Sequence, residues 1–238
     1  KIRKFTKKQI LFNDFIKKKI ICAILIDQTF GRKTKEYKDY VFKNTKIFAG
    51  HKYALIRNQF NFLINYPDNN NNNNVLISMG GTDPKQKTIK VIDLIFNSFK
   101  KYKVFVIIGK NSSQYKNILI KYKNFIKFKK LTILKQKYDI SHIYKKCFLC
   151  IGSGGVSAIE RCKIGLPSFV YKAANNQKDI VNNLRRKKLI KTWSNNKELL
   201  ELLKSCDKNR LNLKNLNINC INEKIAVDTR KMIKSIIK

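Results

Sequence analysis

The chain has 238 residues, 43% of them hydrophobic, and a formal charge of +37 at neutral pH. That length and apolar content exclude a disordered or disulfide-stapled peptide and allow one large domain or two small ones. No run reaches the roughly 20 apolar residues that a membrane-spanning helix needs, and no signal peptide is visible. No membrane span is expected, and the cytoplasm is the expected location.

The charge raises nucleic acid as a partner. Only eight of the 52 basic residues are arginines (3, 32, 57, 161, 185, 186, 210 and 230), however, and arginine is the preferred reader of phosphates and guanine edges. The lysines are spread over the whole chain and accompany abundant Asn and Ile, the signature of a compositional bias. Weak, salt-dependent binding to polyanions is expected, and specific nucleic-acid recognition is not. The cysteines are 22, 147, 150, 162, 206 and 220. Cys147 and Cys150 have CxxC spacing but no second pair at zinc spacing, so reduced buried thiols are expected, with no metal and no cofactor.

In chain order, residues 1–66 hold two apolar runs, 9–12 and 20–26. Asp27-Gln28-Thr29-Phe30-Gly31 reads as a turn after the second. Six consecutive asparagines end at Asn74, and residues 67–74 read as a linker. Residues 75–79 form a strand that runs into Gly80-Gly81-Thr82-Asp83-Pro84. The pattern expects a helix to open there, with Pro84 in its first turn and Thr82 or Asp83 as cap. Ile89, Ile92, Phe96 and Phe99 give that helix its apolar face. A strand over 104–108 ends at Gly109. A helix over 115–122 comes next, then a strand and its exit over 125–134, and a short helix over 140–144. A strand over 148–151 leads into Gly152-Ser153-Gly154-Gly155. The remaining elements are a helix over 156–164, a strand over 168–171, a helix over 179–187, and helices from Lys197 onward. This alternation predicts a doubly wound parallel sheet.

The two glycine turns carry the chemistry. Glycine lets backbone approach a phosphate, and the helix beyond it favours negative charge. Backbone N–H groups, with hydroxyls of Thr82, Ser153 or Ser157, suit a diphosphate, although ordinary βα turns also use glycine. Neither turn is a GxGxxG motif or a P-loop. Glu160, on the helix after the second turn, suits two ribose hydroxyls, or is an exposed glutamate paired with Arg161 or Lys163. Asn176 and Gln177 suit a sugar or base, or cap the next helix. His51 is the better placed of the two histidines for proton transfer, and His142 reads as a packed or surface residue.

IGSGGVSAIERCKIGLP followed by NNQ resembles the donor half of the two-domain GT-B nucleotide-sugar enzymes, including the MurG glycosyltransferases. Asp27 to Gly31 with Tyr37, the run GHKYALIRNQF from Gly50, and SMGGTDP from Ser78 are similar to the PseG family. Its members are UDP-2,4-diacetamido-2,4,6-trideoxy-β-L-altropyranose hydrolases of pseudaminic acid biosynthesis. The resemblance runs from about residue 9 to 190. It implies an α/β, GT-B-like fold, with a Rossmann-like C-terminal domain over 75–238 and, in residues 1–66, the remnant of a first, catalytic-side domain. It implies metal-independent, inverting hydrolysis of a UDP-sugar. It places Gly80, Gly81 and Thr82 near the diphosphate and Ser153, Gly154, Gly155 and Ser157 around the nucleotide. Glu160 falls on the ribose, and Asn176 and Gln177 beside the sugar. The family's base histidine lies in a G-x-G-H motif that this sequence does not contain. The resemblance therefore supplies no catalytic residue here, and the chain is expected to be an N-terminally truncated piece. A GT-B glycosyltransferase is the alternative enzyme. A UDP-sugar-binding or basic polyanion-binding module is the non-enzyme alternative.

Overall fold

A computed structural model describes residues 8–16, 18–62, 72–83, 85–109, 112–135 and 140–237. A first, three-stranded parallel sheet has the order β1 (Ile10–Phe12), β2 (Ile24–Asp27), β3 (Lys46–Ala49). The second sheet has six parallel strands: β4 (Asn74–Ser78), β5 (Lys103–Ile108), β6 (Leu131–Lys135), β7 (Leu149–Ser153), β8 (Ser168–Tyr171) and β9 (Lys191–Trp193). Their order is β6-β5-β4-β7-β8-β9. It reverses between β4 and β7, and open α/β sheets bind ligands in the crevice at that reversal, beyond the carboxyl ends of the strands. Both glycine turns leave these two strands.

Helices cover both faces of the second sheet, so its central strands are buried on both sides and read as continuous apolar runs. On one face α1 (Lys87–Ser98) and α7 (Asn196–Lys208) bury Val91, Ile92, Ile95, Leu199 and Leu203 against Val75, Ile77 and Val104. On the other, α5 (Val156–Lys163) and α6 (Lys178–Arg186) bury Ile159, Ile180 and Leu184. Phe30, from the loop after β2, enters that second cluster at 1% exposure. After α8 (Leu211–Ile221), the last helix, α9 (Thr229–Ile237), returns to the first sheet and sets Met232 against Ile24, Ile26 and Phe48. Among the described residues no helix is long and apolar enough to cross a membrane. All six cysteines are free and buried, and burial pushes the Cys150 thiol up to about 11.

Four local expectations need correction. Phe125 is not in a strand. It lies in α3 (Lys123–Lys127), which comes after α2 (Tyr115–Lys121), and its ring stacks 4.0 Å from that of Phe96; β6 starts only at Leu131. Strand β9 escaped the pattern because three residues are too few to show a period. Helix α1 starts at Lys87, so the first glycine turn does not open directly into it, and Pro84 lies outside the described residues. The end of the asparagine run is structured: Asn74 belongs to β4, and Arg210 donates to the Asn72 carbonyl and the Asn73 side chain. The rest of that run lies outside the described residues.

Candidate nucleotide site

The two glycine turns lie side by side because Ser78 of β4 is in register with Gly152 of β7. Gly80 has φ +96°, a conformation that glycine adopts at no steric cost, and a Cβ there would stand 3.3 Å from Ser153 Oγ. Gly109, at the end of β5, closes the other flank, where a Cβ would strike the Gly81 carbonyl at 1.9 Å. Gly81 and Thr82 are exposed at the mouth.

The two turns hand over to their helices differently. Beyond the first, Asp83 takes the free ends of α1 for itself. Its Oδ1 accepts from Lys87 N at 3.0 Å and its Oδ2 from Thr88 N at 2.8 Å, and Gln114 Nε2 donates to the same carboxylate. Beyond the second, the N-cap of α5 is Gly155, which has no side chain to cap with, and among the described residues no side-chain acceptor bonds the Val156 or Ser157 N–H. Ala158 N donates to the Gly155 carbonyl at 2.8 Å; the N–H groups of Val156 and Ser157 ahead of it have no intrahelical acceptor, and the helix dipole adds partial positive charge there. The anion-attracting end is at the second turn.

Gln177 fixes the shape of that turn. Its Oε1 accepts from Gly154 N at 3.2 Å and from Ala173 N at 2.9 Å. Two N–H donors on one oxygen orient the amide and leave Nε2 on the Gly155 side, 3.8 Å from where a Cβ would sit. Ser153 is buried, and Ser157 is half-buried in the first turn of α5. Asn176 is exposed and lies near Asp14, which follows β1 of the other sheet. Desolvation, and then the nearby Asp27 carboxylate, raise the Asp14 carboxyl above its ordinary value.

Glu160 is neither exposed nor paired with Arg161 or Lys163. It is buried, and its two oxygens face the Arg57 guanidinium. The structure thus brings together Gly80, Ser153, Gly154, Gly155 and Gln177, and sets Glu160 beneath them against Arg57. Sequence reasoning did not single out Arg57 as a site residue, although it belongs to the ALIR run that carries the family resemblance.

His51 stands elsewhere. Its ring stacks on Phe30 at 4.1 Å, Nδ1 accepts from Gly31 N at 3.3 Å, and Nε2 lies 3.7 Å from Glu223. Burial lowers its pKa from the ordinary value. It borders a cleft of about 580 Å³ lined with Arg32, Lys33, Lys52, Arg186 and Lys187, and no residue of the glycine turns lines that cleft. His142 is exposed on α4 (Ser141–Lys146). Among the described residues no group of three or more His, Cys, Asp or Glu side chains gathers as a metal site.

Two parallel α/β units and an uncapped helix at the reversal of the larger sheet define the class: a GT-B glycosyltransferase-like fold. MurG of Acinetobacter baumannii superposes with a TM-score of 0.59 at 14% identity, covering 91% of this chain and 60% of MurG. Anabaena HepE, solved with UDP-glucose, gives 0.60 at 12% identity, covering 91% of this chain and 64% of HepE. No family model matches the chain. An uncharacterized protein of Methanocaldococcus jannaschii is 26% identical over 200 residues, 82% of this chain and 41% of that protein. The spore coat polysaccharide biosynthesis protein SpsG of Bacillus subtilis is 28% identical over 142 residues, 58% of this chain and 41% of SpsG. The chain thus spans about two fifths of the length of these curated relatives.

Proposed function

We propose that this chain is the nucleotide-sugar half of an enzyme that cleaves a UDP-linked sugar. The observation that carries the reading is the uncapped N-terminus of α5 on a glycine turn at the reversal of the sheet. In it the turn at residues 152–157 holds the diphosphate, with Gly80, Gly81 and Thr82 beside it. Glu160 shares its carboxylate between Arg57 and the ribose hydroxyls. Asn176 and the Gln177 amide face the sugar. HepE, a fold neighbour, was solved with UDP-glucose, which supports UDP as the nucleotide.

The reaction we favour is hydrolysis of a UDP-diacetamido-trideoxy sugar in nonulosonate biosynthesis, because the ALIR and GGTDP runs resemble that hydrolase family. Water attacks the anomeric carbon, the bond from that carbon to the phosphate oxygen breaks, and UDP leaves with inversion. Preorganised N–H dipoles stabilise the charge that develops on the leaving phosphate. No catalytic base is assigned to residues of this chain. Transfer of the sugar to an acceptor is the second reading, favoured by the fold shared with MurG and HepE.

Calorimetric titration of UDP into the chain, beside CMP and a Glu160→Ala variant, tests the site. Saturable UDP binding that is weakened by the substitution and absent for CMP is the expected result. No UDP binding by a folded sample overturns the proposal. UDP release from the UDP-sugar in water alone, against release only with an acceptor present, separates the two reactions.

A further inference from the structure

Arg161 sits next to Glu160 on α5 but turns beneath the end of β7. Its side chain is fully buried. Nη2 donates to the Ser153 carbonyl at 2.7 Å, and Nε donates to Ser168 Oγ at 3.1 Å. The Ser168 hydroxyl in turn donates to the Leu166 carbonyl at 3.0 Å. Among the described residues nothing accepts from Nη1, and no carboxylate pairs with the guanidinium. Gly152 makes the room: a Cβ there would stand 3.2 Å from Cζ and Nη1 of Arg161 and 2.7 Å from the Ser78 carbonyl.

A buried cation without a counter-ion is among the least favourable arrangements in a protein interior. An apolar side chain of similar length satisfies the packing without that penalty, so packing does not account for Arg161. Its place does bear on the site. The guanidinium packs against Gly152 and holds the Ser153 carbonyl, the two residues that lead into the turn before α5. It also draws the Ser153 carbonyl inward, away from any anion on the turn.

We propose that Arg161 is a positioning residue for the diphosphate, a fixed positive charge behind the second glycine turn whose missing counter-ion is the bound anion itself. This rests on the reading of that turn as a nucleotide site. A guanidinium stays charged at all working pH values, so its pull is constant. The pull scales with phosphate charge, so Arg161 discriminates UDP from UMP and from uridine, and contributes nothing to the base or ribose.

Calorimetric affinities for UDP, UMP and uridine test this in the wild type, Arg161→Met and Arg161→Lys. A unit charge held close to a phosphate in a medium of intermediate dielectric changes affinity by about tenfold or more. Arg161→Met is expected to weaken UDP by that factor, UMP by less, and uridine not at all. Arg161→Lys, which keeps the charge, is expected to retain the preference for UDP over uridine. The thermal midpoint supplies a second readout. Without ligand, Arg161→Met melts at or above the wild type, and its gain with saturating UDP is smaller. Equal weakening of UDP and uridine, or unchanged UDP affinity, overturns the inference and leaves Arg161 a scaffold of the turn. If Arg161→Met does not fold, Arg161→Lys decides, and loss of its preference for UDP overturns the inference. A folded wild type that binds uridine and UDP equally, or neither, overturns the reading of the site itself.

Discussion

Arg57 clasps both carboxylate oxygens of Glu160 across 103 residues of sequence, Nε at 2.9 Å from Oε1 and Nη2 at 2.7 Å from Oε2. The glutamate side chain is 6% exposed and the arginine 32%. Removing the arginine strands a buried carboxylate. Because Arg57 is partly solvated, Arg57→Ala is expected to cost about 2 kcal/mol, below the usual loss for a fully buried pair. The double variant Arg57→Met, Glu160→Met is expected to recover most of that loss. Urea midpoints of the three proteins check it, and a double variant no better than Arg57→Ala contradicts it.

His51 makes stability depend on pH. Burial holds its folded pKa below the ordinary value. As pH falls through about 6.5, the unfolded chain takes up a proton that the folded one resists. The contribution is therefore fully present above that range and is lost on acidification. The thermal midpoint is expected to fall between pH 7 and pH 5 by more in the wild type than in His51→Gln. Parallel profiles rule this out.

Asp83 caps α1 from outside the helix, accepting from Lys87 N and Thr88 N. Asp83→Ala is expected to destabilise the chain by about 1–2 kcal/mol, and Asp83→Asn, which keeps one acceptor, by less. Thermal melts of both variants provide the check. Equal midpoints for wild type and Asp83→Ala mean that the cap is idle.

Gly154 is demanded by space, not by its backbone angle. A Cβ there would lie 2.1 Å from Val181 Cγ2. Gly154→Ala is expected to cost roughly 1–3 kcal/mol through overpacking and to abolish UDP binding. Adding Val181→Ala is expected to restore much of the stability, because the two residues share one space. Independent, additive losses in the double variant would disprove this contact.

Much of the larger sheet was legible in the sequence, for a physical reason. Strands buried on both faces cannot alternate, and the runs at 75–78 and 104–108 announce themselves. Both glycine turns were legible because few residues other than glycine tolerate such close backbone approach. What stayed hidden depends on partners distant in sequence. Phe125 looked like a strand aromatic until Phe96 of α1 supplied the stacking partner for a helix. The Glu160 pairing was invisible, in both its ribose-binding and its exposed reading, because its arginine comes 103 residues earlier. Arg161 was legible only as a candidate partner of Glu160, because its actual neighbours, the Ser153 carbonyl and Ser168, are not visible in the helix pattern.

The chain passes between its two sheets twice, once ahead of β4 and again on the way to α9. The second crossing is bolted to the first: Ala226 N and Asp228 N donate to the His51 and Lys52 carbonyls, and the Thr229 hydroxyl donates to the Ala54 carbonyl. A body held by one strand swivels freely, whereas one held by two adjacent strands is left with a single easy axis, like a door on its pins. Any opening of the crevice between the sheets would have the line through residues 51–54 and 226–229 as its axis, and would first have to draw Phe30 out of the α5–α6 cluster and break the Arg32–Asp179 pair. The glycine turns and Asn176, all carried by the larger sheet, would move together along that arc relative to the smaller one.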